Sequence, residues 1–168
     1  MSDLILYFSR AGENYVSGAI RNLTQGNTEV VAQIIQGFTG ADLFQIEPVV
    51  PYPNNYSECT QQAKDDQRRD ARPAIVAYPK NLERYETIYL GYPNYWGTMP
   101  MPVFTLLEKC HFSGKTIKPF CTHEGSGMGR SEADIKALCP GALVQPGLAI
   151  QGCKVAGAEK QIKRWIEK

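Results

Sequence analysis

Hydroxyl, amide and glycine residues occur together at two places near the N-terminus, a combination typical of anion-binding loops. Ser9-Arg10-Ala11 directly follows an apolar run, and Gly26-Asn27-Thr28 leads into a helix-like repeat. Backbone N–H groups at the start of a helix attract phosphate, because the helix dipole is positive at that end. We therefore predict that the two segments are halves of one phosphate cradle and that the residues from Gly12 to Gly26 are an excursion between them.

Thr28 also allows a simpler interpretation, and the anion remains unspecified at this point. A threonine that precedes an acidic residue and two apolar rows is a good N-cap, so its hydroxyl could serve only to begin the helix. No lysine follows the glycine at the Walker spacing, which argues against a nucleoside triphosphatase. No GxGxxG follows the first apolar run, which argues against a dinucleotide site of the Rossmann type.

A second candidate loop, from Gly91 to Gly97, is rich in aromatic and turn residues. A flat conjugated ring needs an apolar face on which to stack and backbone groups along its polar edge. Tyr95 and Trp96 could supply that face. The same side chains could instead cap the core at the end of the sheet, and this alternative stays open for the loop considered alone.

The third candidate loop, from Thr122 to Gly129, has three glycines in its last five residues. Glycine lets backbone N–H and C=O groups approach the edge of a ligand closely. The glycines would equally suit a flexible connection to a following helix, but that does not account for Thr122 and His123 at the strand end. The pair His123-Glu124 could transfer protons, with a structural hydrogen bond as the alternative.

Strands and helices that alternate along the chain must position these loops. Apolar runs predict five strands, at 4–8, 42–46, 87–90, 116–121 and 142–150, of which the fourth contains Pro119 and the fifth is bulged at Pro146-Gly147. Helical periodicity predicts helices from Thr28 to Phe38, from Pro102, from Ser131 with a capping box to Asp134, and from Ala158. The polar stretch at 56–69 is also predicted as a helix, although it has no strong apolar stripe, and residues 48–80 around it have the weakest pattern. Such alternation predicts an α/β fold with a parallel sheet covered on both faces, whose ligands bind beyond the carboxyl ends of the strands.

Length and composition predict a single domain spanning residues 1–168. Lys and Arg number 18 and Asp and Glu number 17, so the net charge of +1 gives no indication of nucleic acid or an anionic membrane as a partner. The apolar run from Leu4 to Phe8 is too short for a signal peptide, and no stretch approaches the ~18 apolar residues of a membrane span. Five widely spaced cysteines without a CxxC predict reduced thiols and a cytoplasmic location.

Three stretches together resemble the flavin-contacting segments of the flavodoxin family. They are YFSRAGENY with GNTEVVA, GYPNYWGTMPMPVFTLLE, and GKTIKPFCTHEGSGMGRS. The similarity is greatest to the short-chain bacterial branch, in which the phosphate loop is interrupted. The resemblance implies a flavodoxin-like, doubly wound, five-stranded parallel sheet in the order 2-1-3-4-5 with helices on both faces. It also implies FMN as the cofactor, with its ring between the second and third loops and its phosphate at Ser9, Ala11, Asn27 and Thr28.

The resemblance implies the following cofactor-binding residues: Ser9, Arg10, Ala11, Asn27, Thr28, Pro93, Asn94, Tyr95, Trp96, Gly97, Thr122, His123, Glu124, Gly125, Ser126 and Gly127. The third loop lacks the tyrosine that stacks on the outer flavin face in the family. His123 or Met128 must substitute for it, or that face stays open. The near-neutral charge also differs from that of many strongly acidic flavodoxins.

The function that the resemblance implies is electron transfer through a bound flavin, and two classes remain open. One is an electron carrier that docks redox partner proteins with its exposed flavin edge. The other is an enzyme, an NAD(P)H-dependent FMN quinone or flavin reductase with a small-molecule electron acceptor. We expect no nucleic-acid or membrane partner, and a monomer or weak homodimer.

Outside flavin chemistry, a doubly wound signalling or binding domain is the alternative. A receiver domain would need an acidic cluster around a phosphorylatable aspartate at a strand end, and the sequence has none. A low-molecular-weight phosphatase would need Cys-x5-Arg, whereas Cys121 and Arg130 are farther apart. Cys110-His111 with Cys121-x-His123 match the spacing of no common zinc site.

Overall fold

The computed structural model describes residues 2–168, which form a parallel sheet between two layers of helices and a separate β-hairpin. The strands are β1 (Ser2–Tyr7), β2 (Gly12–Val16), β3 (Ala19–Leu23), β4 (Asp42–Gln45), β5 (Tyr85–Pro93), β6 (Thr116–His123), β7 (Leu143–Val144) and β8 (Leu148–Gln151). The α-helices are α1 (Asn27–Thr39), α2 (Tyr56–Arg68), α3 (Met101–Lys109), α4 (Ser131–Leu138) and α5 (Glu159–Ile166). Short 3₁₀ segments lie at Leu82–Arg84 and Gly152–Gly157.

The sheet confirms the predicted order and direction of the strands. β4, β1, β5 and β6 lie side by side and are parallel, and β7 and β8 both pair with β6. β7 and β8 are the two parts of the predicted fifth strand, so the order is the predicted 2-1-3-4-5. The winding direction reverses between β1 and β5, which places a crevice at the carboxyl ends of those two strands.

Pro119 lies inside β6, although the missing N–H of proline is unfavourable in a central strand. The structure accommodates it beside the gap between β7 and β8, where a Cβ added to Gly147 would lie 3.0 Å from the Pro119 carbonyl oxygen. The Gln145 N–H donates to the Ile117 carbonyl (2.9 Å) just before the gap, and pairing resumes in β8. The predicted bulge at Pro146-Gly147 is thus a break in the edge strand next to the proline.

Apolar side chains form a separate core cluster on each face of the sheet. Ile35 of α1 and Ile162 of α5 are buried on one face, and Val103 and Leu106 of α3 are buried on the other. Because both faces are covered, the inner strands are continuous apolar runs rather than alternating ones. This packing holds the strand ends in place, and with them the loops that follow.

The excursion in the first loop is a two-stranded antiparallel hairpin, which the sequence analysis did not predict. β2 pairs with β3 from Gly12 opposite Leu23 up to the turn. Ser17 (φ 53°) and Gly18 (φ 83°) form a two-residue turn, whose positive φ values match the twist of the flanking strands. The residues of β3 are almost all exposed and those of β2 are mostly half-buried, and neither strand has the alternating apolar pattern by which a half-buried strand is recognised.

The predicted start of α1 is corrected by one tertiary contact. The helix begins at Asn27 with Gly26 as its N-cap residue, so the prediction of Thr28 as the N-cap is wrong. Thr28 lies inside the first turn, and its hydroxyl is hydrogen-bonded to that of Thr122. The Thr28 hydroxyl is therefore bonded to Thr122, far along the chain, and not to the helix backbone as the local sequence predicted.

The predicted capping box of α4 is wrong for a similar reason. The Ser131 hydroxyl donates to the Met128 carbonyl (2.6 Å) and accepts from the Tyr92 hydroxyl (2.8 Å). The Asp134 carboxylate accepts from the Thr98 hydroxyl (2.5 Å). Both side chains of the predicted box therefore have other partners, although the helix itself is confirmed.

Residues 48–80, between β4 and β5, contain the predicted helix as α2. Asn55 is its N-cap, and the side-chain oxygen accepts a hydrogen bond from the Glu58 N–H (3.0 Å). A hydrogen bond from the Val49 N–H to the Ala74 carbonyl (2.8 Å) joins the segment before α2 to the segment after it. Of the helices formed by residues 2–168, none has the length and apolar character that a bilayer crossing requires.

Candidate functional site

A cavity of about 620 Å³ lies at the carboxyl ends of β1, β5 and β6, where the three predicted loops converge. The predicted residues that line it are Ser9, Arg10, Asn27, Thr28, Pro93, Asn94, Tyr95, Trp96, Gly97, Thr122, His123, Glu124 and Ser126. Ala11, Gly125 and Gly127 lie in the same loops but outside the lining. Gly91–Pro93 and Thr122–His123, predicted as loop, still belong to β5 and β6. The contact of these residues with a cofactor stays a prediction.

The two halves of the first loop touch each other, as predicted. A Cβ added to Gly26 would collide with the Ser9 hydroxyl and lie 2.8 Å from the Arg10 carbonyl oxygen. The Ser9 hydroxyl also accepts a hydrogen bond from the backbone N–H of Glu29 in α1 (3.1 Å). Glycine is therefore required at position 26, because atoms of the first half occupy the space of a side chain.

The first turn of α1 presents backbone donors at the cavity wall. The first four N–H groups of a helix have no acceptor within the helix. The N–H groups of Glu29 and Val30 donate to acceptors in the first loop. Those of Asn27 and Thr28 have no acceptor among residues 2–168. Together with the helix dipole, these donors suit an anionic group.

Two buried hydroxyl groups connect the first loop with the third. The Oγ1 atoms of Thr28 and Thr122 are 2.8 Å apart, and only 2% and 4% of the two residues is exposed. Thr28 is in the first turn of α1, and Thr122 is the penultimate residue of β6. The pair holds the N-terminus of α1 against the end of β6 and so determines how the cradle is oriented.

The Arg10 guanidinium holds the hairpin in place. It donates to the carbonyl oxygens of Pro53 (2.8 Å) and Asn54 (2.6 Å), and also to that of Glu13. These bonds join the start of β2 to the segment before α2. Arg10 still lines the cavity, but its charge already has the carbonyl dipoles as partners.

The second loop is a tight turn around a residue in an uncommon conformation. Trp96 (φ 56°) and Gly97 (φ 90°) both have positive φ, and the Asn94 side-chain oxygen accepts from the Gly97 N–H (2.8 Å). Positive φ at a bulky residue indicates a conformation imposed by its surroundings. The Trp96 indole N–H donates to the Thr60 carbonyl in α2 (2.9 Å), and the Lys64 ammonium lies 4.8 Å from the ring centre. These contacts hold the indole at the rim of the cavity.

The two aromatic residues of this loop have different surroundings. The Tyr95 ring packs edge-on against Phe8 and Tyr52, with centroid distances of 5.9 and 5.8 Å, and the residue also lines the cavity. Burial raises the pKa of the Tyr95 hydroxyl well above its ordinary value. Trp96, by contrast, is 48% exposed. The core-capping alternative therefore describes Tyr95, and Trp96 is the residue that presents a free aromatic surface.

The second and third loops are joined by their backbones. The Asn94 side-chain amide donates to the Gly127 carbonyl (2.8 Å), and the Arg130 N–H donates to the Gly97 carbonyl (2.8 Å). A Cβ added to Gly129 (φ 55°) would collide with that same carbonyl of Gly97. Glycine at 129 is thus needed for the close approach of the two loops, and Gly127 contributes to it from outside the lining.

His123 is held in one orientation by its own loop. Its Nδ1 accepts a hydrogen bond from the Gly125 N–H (2.8 Å), so the other ring nitrogen carries the proton of the neutral form. Burial lowers the pKa of His123, and the nearby Glu124 carboxylate partly opposes this effect. Met128, the other candidate to cover a flavin face, lies against Gly147 and the core, outside the cavity lining.

A family model described as Flavodoxin matches residues 19–168. The chain belongs to the flavodoxin family. The matched region contains the second half of the cradle, both other loops and all the strands of the sheet except β1. It begins at the second strand of the hairpin, so Ser9 and β2 lie outside it. No curated protein matches the chain significantly.

Solved structures of other proteins have the same fold as this flavodoxin-family chain. A candidate flavoprotein from Bacteroides eggerthii is 27% identical, with a TM-score of 0.76 over 99% of this chain and 96% of that one. Another, from Bacteroides uniformis, is 24% identical, with a TM-score of 0.75 over 99% and 98%. A flavoprotein from Lactobacillus acidophilus, solved in complex with FMN, is 18% identical, with a TM-score of 0.68 over 98% of both chains.

In this member of the family, the cavity has a fourth wall that the sequence analysis missed. Side chains of the hairpin and of α2 form it: Asn14, Tyr15, Tyr56, Cys59, Thr60 and Ala63. Tyr15 stacks on Tyr56, with a centroid distance of 6.0 Å and an interplanar angle of 29°. Burial raises the pKa of both the Tyr56 hydroxyl and the Cys59 thiol. The available signal was the i, i+3, i+7 spacing of Tyr56, Cys59 and Ala63, which puts a less polar face on a polar helix.

The zinc arrangement weighed from the sequence receives no support. Among residues 2–168, no three His, Cys, Asp or Glu side chains lie close enough together to hold a metal ion. The five cysteines are free thiols, and of those weighed as ligands Cys121 is buried in the core.

Proposed function

We propose that this chain binds FMN in the cavity and acts in electron transfer through the bound flavin. The observation that carries the proposal is the meeting of the two first-loop halves at the N-terminus of α1, where free backbone donors line the cavity. A cradle of this kind suits a phosphate monoester. Membership of the flavodoxin family supports the proposal, as does the FMN in the Lactobacillus acidophilus flavoprotein of the same fold.

The groups in the cradle fit a phosphate. The Ser9 hydroxyl, the Asn27 side-chain amide and the N–H groups of Asn27 and Thr28 would hold it. All of them can donate hydrogen bonds to phosphate oxygens. The Arg10 guanidinium in the same wall is engaged with carbonyl oxygens. Binding would therefore depend on hydrogen bonds and the helix dipole rather than on an ion pair.

The second and third loops would hold the flavin ring. Trp96 offers an aromatic surface at the rim, and the backbones of the two loops are locked together by the Asn94 and Arg130 hydrogen bonds. The lowered pKa of His123 favours the neutral form of its imidazole, which disfavours a positive charge at this wall. Bound FMN supplies the redox chemistry, because it accepts and releases electrons one or two at a time.

The surroundings of His123 favour an electron carrier over a reductase. The pair His123-Glu124 was the candidate proton relay of an enzyme. The two side chains have separate partners, since His123 Nδ1 accepts from Gly125 and Glu124 Oε2 accepts from the Ser17 N–H (3.3 Å). We propose a cytoplasmic carrier that docks redox partner proteins at the rim near Trp96. An NAD(P)H-dependent quinone or flavin reductase is the alternative.

The absorbance spectrum of the freshly purified protein tests the proposal. We expect flavin bands, and we expect mass spectrometry of the released cofactor to give the mass of FMN. A colourless protein that stays apo in an excess of FMN would contradict the proposal. Steady-state oxidation of NADPH with a quinone then separates the two classes, because rapid turnover by the purified protein alone would favour the reductase.

A further inference from the structure

The hairpin formed by β2 and β3 is attached to two walls of the cavity. On the α2 side, the Glu13 carboxylate accepts from the Tyr56 backbone N–H (2.8 Å), and Tyr15 stacks on the Tyr56 ring. On the other side, the backbone N–H of Ser17 at the hairpin tip donates to Glu124 Oε2 in the third loop (3.3 Å). The hairpin therefore connects α2, through β2, with the third loop, through its tip.

Glu124 also lies beside the phosphate cradle. A Cβ added to Gly152 would collide with Glu124 Oε1 and lie 2.6 Å from the Asn27 side-chain nitrogen. The two side chains therefore share the space above this glycine, next to the N-terminus of α1. Oε1 is buried and has no hydrogen-bond partner among residues 2–168. A buried carboxylate oxygen without a donor destabilises the fold, so its retention calls for a functional reason.

Val16, directly before the tip, is buried, but the β3 side of the tip is held by few contacts. The residues of β3 are almost all exposed, and Ile20 is 53% exposed. A segment that buries little apolar surface opens at low free-energy cost. One hydrogen bond to an ionised carboxylate, which is stronger than one to a neutral acceptor, can therefore change how often the tip opens.

We propose that Glu124 is a positioning residue that latches the hairpin tip across the cavity and so retains a flavin mononucleotide in it. The inference rests on the proposed function. Glu124 acts through Ser17 and the hairpin rather than as a ligand of the phosphate, which as an anion would be repelled by a carboxylate. Loss of the latch increases the rate at which the nucleotide leaves.

The experiment compares Glu124→Gln with the wild type and with Glu86→Gln, a matched control. Glu86 is exposed and lies near the opposite end of β5 from the cavity. The rate of FMN release is measured by flavin fluorescence, and hydrogen exchange of the Ser17 amide is measured by NMR. We expect about threefold to tenfold faster release and faster Ser17 exchange in Glu124→Gln, with Glu86→Gln matching the wild type.

Three results would overturn the latch: unchanged release in Glu124→Gln, unchanged Ser17 exchange, or slower release. The last would mean that the carboxylate opposes the phosphate. A wild-type protein that binds no FMN would refute the proposed function instead. Ser17 exchange in the ligand-free proteins would then test the latch alone, since equal protection in wild type and Glu124→Gln would still overturn it.

Discussion

The two ends of the cavity are built from different chemical groups. At the α1 end, hydroxyl and backbone N–H groups meet within hydrogen-bonding distance around Ser9, Gly26 and Thr28. At the rim, the exposed Trp96 indole lies under the Lys64 ammonium. Hydrogen bonds need their atoms at defined positions, whereas apolar contact tolerates displacement. We therefore expect binding at the polar end to depend on single atoms and to distinguish FMN from riboflavin. Binding at the aromatic end should tolerate small changes and should not distinguish the two ligands.

The largest effect is expected for Gly26→Ala. The added Cβ would collide with the Ser9 hydroxyl and approach the Arg10 backbone to 2.8 Å, so the two halves of the cradle must separate. Overpacking of this kind costs up to about 3 kcal/mol, which corresponds to about a hundredfold rise in the Kd for FMN. Fluorescence titration with FMN and riboflavin measures the loss, which should be much smaller for riboflavin.

Gly37→Ala is the matched control for that substitution. Gly37 lies in the same helix, and a Cβ added there would meet no atom within 4 Å. Alanine should stabilise the helix by about 1 kcal/mol, raise the Tm and leave FMN affinity unchanged. Equal losses of affinity in the two variants would show that the effect comes from the helix and not from the cradle.

A smaller loss is expected for Thr28→Val. The substitution leaves the buried Thr122 hydroxyl without its 2.8 Å partner, which costs about 1.5 kcal/mol and weakens FMN about tenfold. Asn14→Ala should weaken it only about twofold, because the Asn14 amide donates to carbonyls of its own loop. Binding titrations that give equal losses for both variants would contradict the model of two halves meeting at α1.

At the aromatic end, Trp96→Leu should reduce affinity about threefold. Aromatic contact contributes about 0.5–1.5 kcal/mol beyond the buried area, and leucine keeps part of the apolar surface. The ratio of FMN to riboflavin affinity should not change, because the indole is not part of the cradle. Calorimetry with both ligands measures the ratio. A selective loss of FMN would remove the contrast between the two ends.

The smallest effect concerns the reduction potentials of the bound flavin. Negative charge around a flavin disfavours the second electron, because it disfavours an anionic reduced ring. With a net charge of +1, the chain should have a less negative second potential than a strongly acidic flavodoxin. Spectroelectrochemical titration measures it, and a very low second potential would show that local dipoles at the rim outweigh the net charge.

Elements with strong local patterns were predictable, and elements held by distant contacts were not. The apolar run of β1 and the helical period of α1 identified both elements, because burial imposes those patterns on the sequence. The convergence of the three loops followed from the parallel sheet, whose strand ends share one edge. The hairpin was missed because neither of its strands carries such a pattern. The partner of Thr28 was missed because Thr122 lies 94 residues away.

The sequence by itself determined the alternation of strands and helices and the composition of the three loops, because these depend on periodicity and on residue chemistry. The strand order was implied by the resemblance to the flavodoxin family. Where the same side chain could have two roles, only the tertiary structure decided between them. It assigned Tyr95 to the core and left Trp96 at the rim, directed the Thr28 hydroxyl to β6, and brought Tyr56 and Glu124 into contact with the hairpin. Each role depends on which residues from another part of the chain lie beside the side chain, and the local sequence pattern contains no information about them.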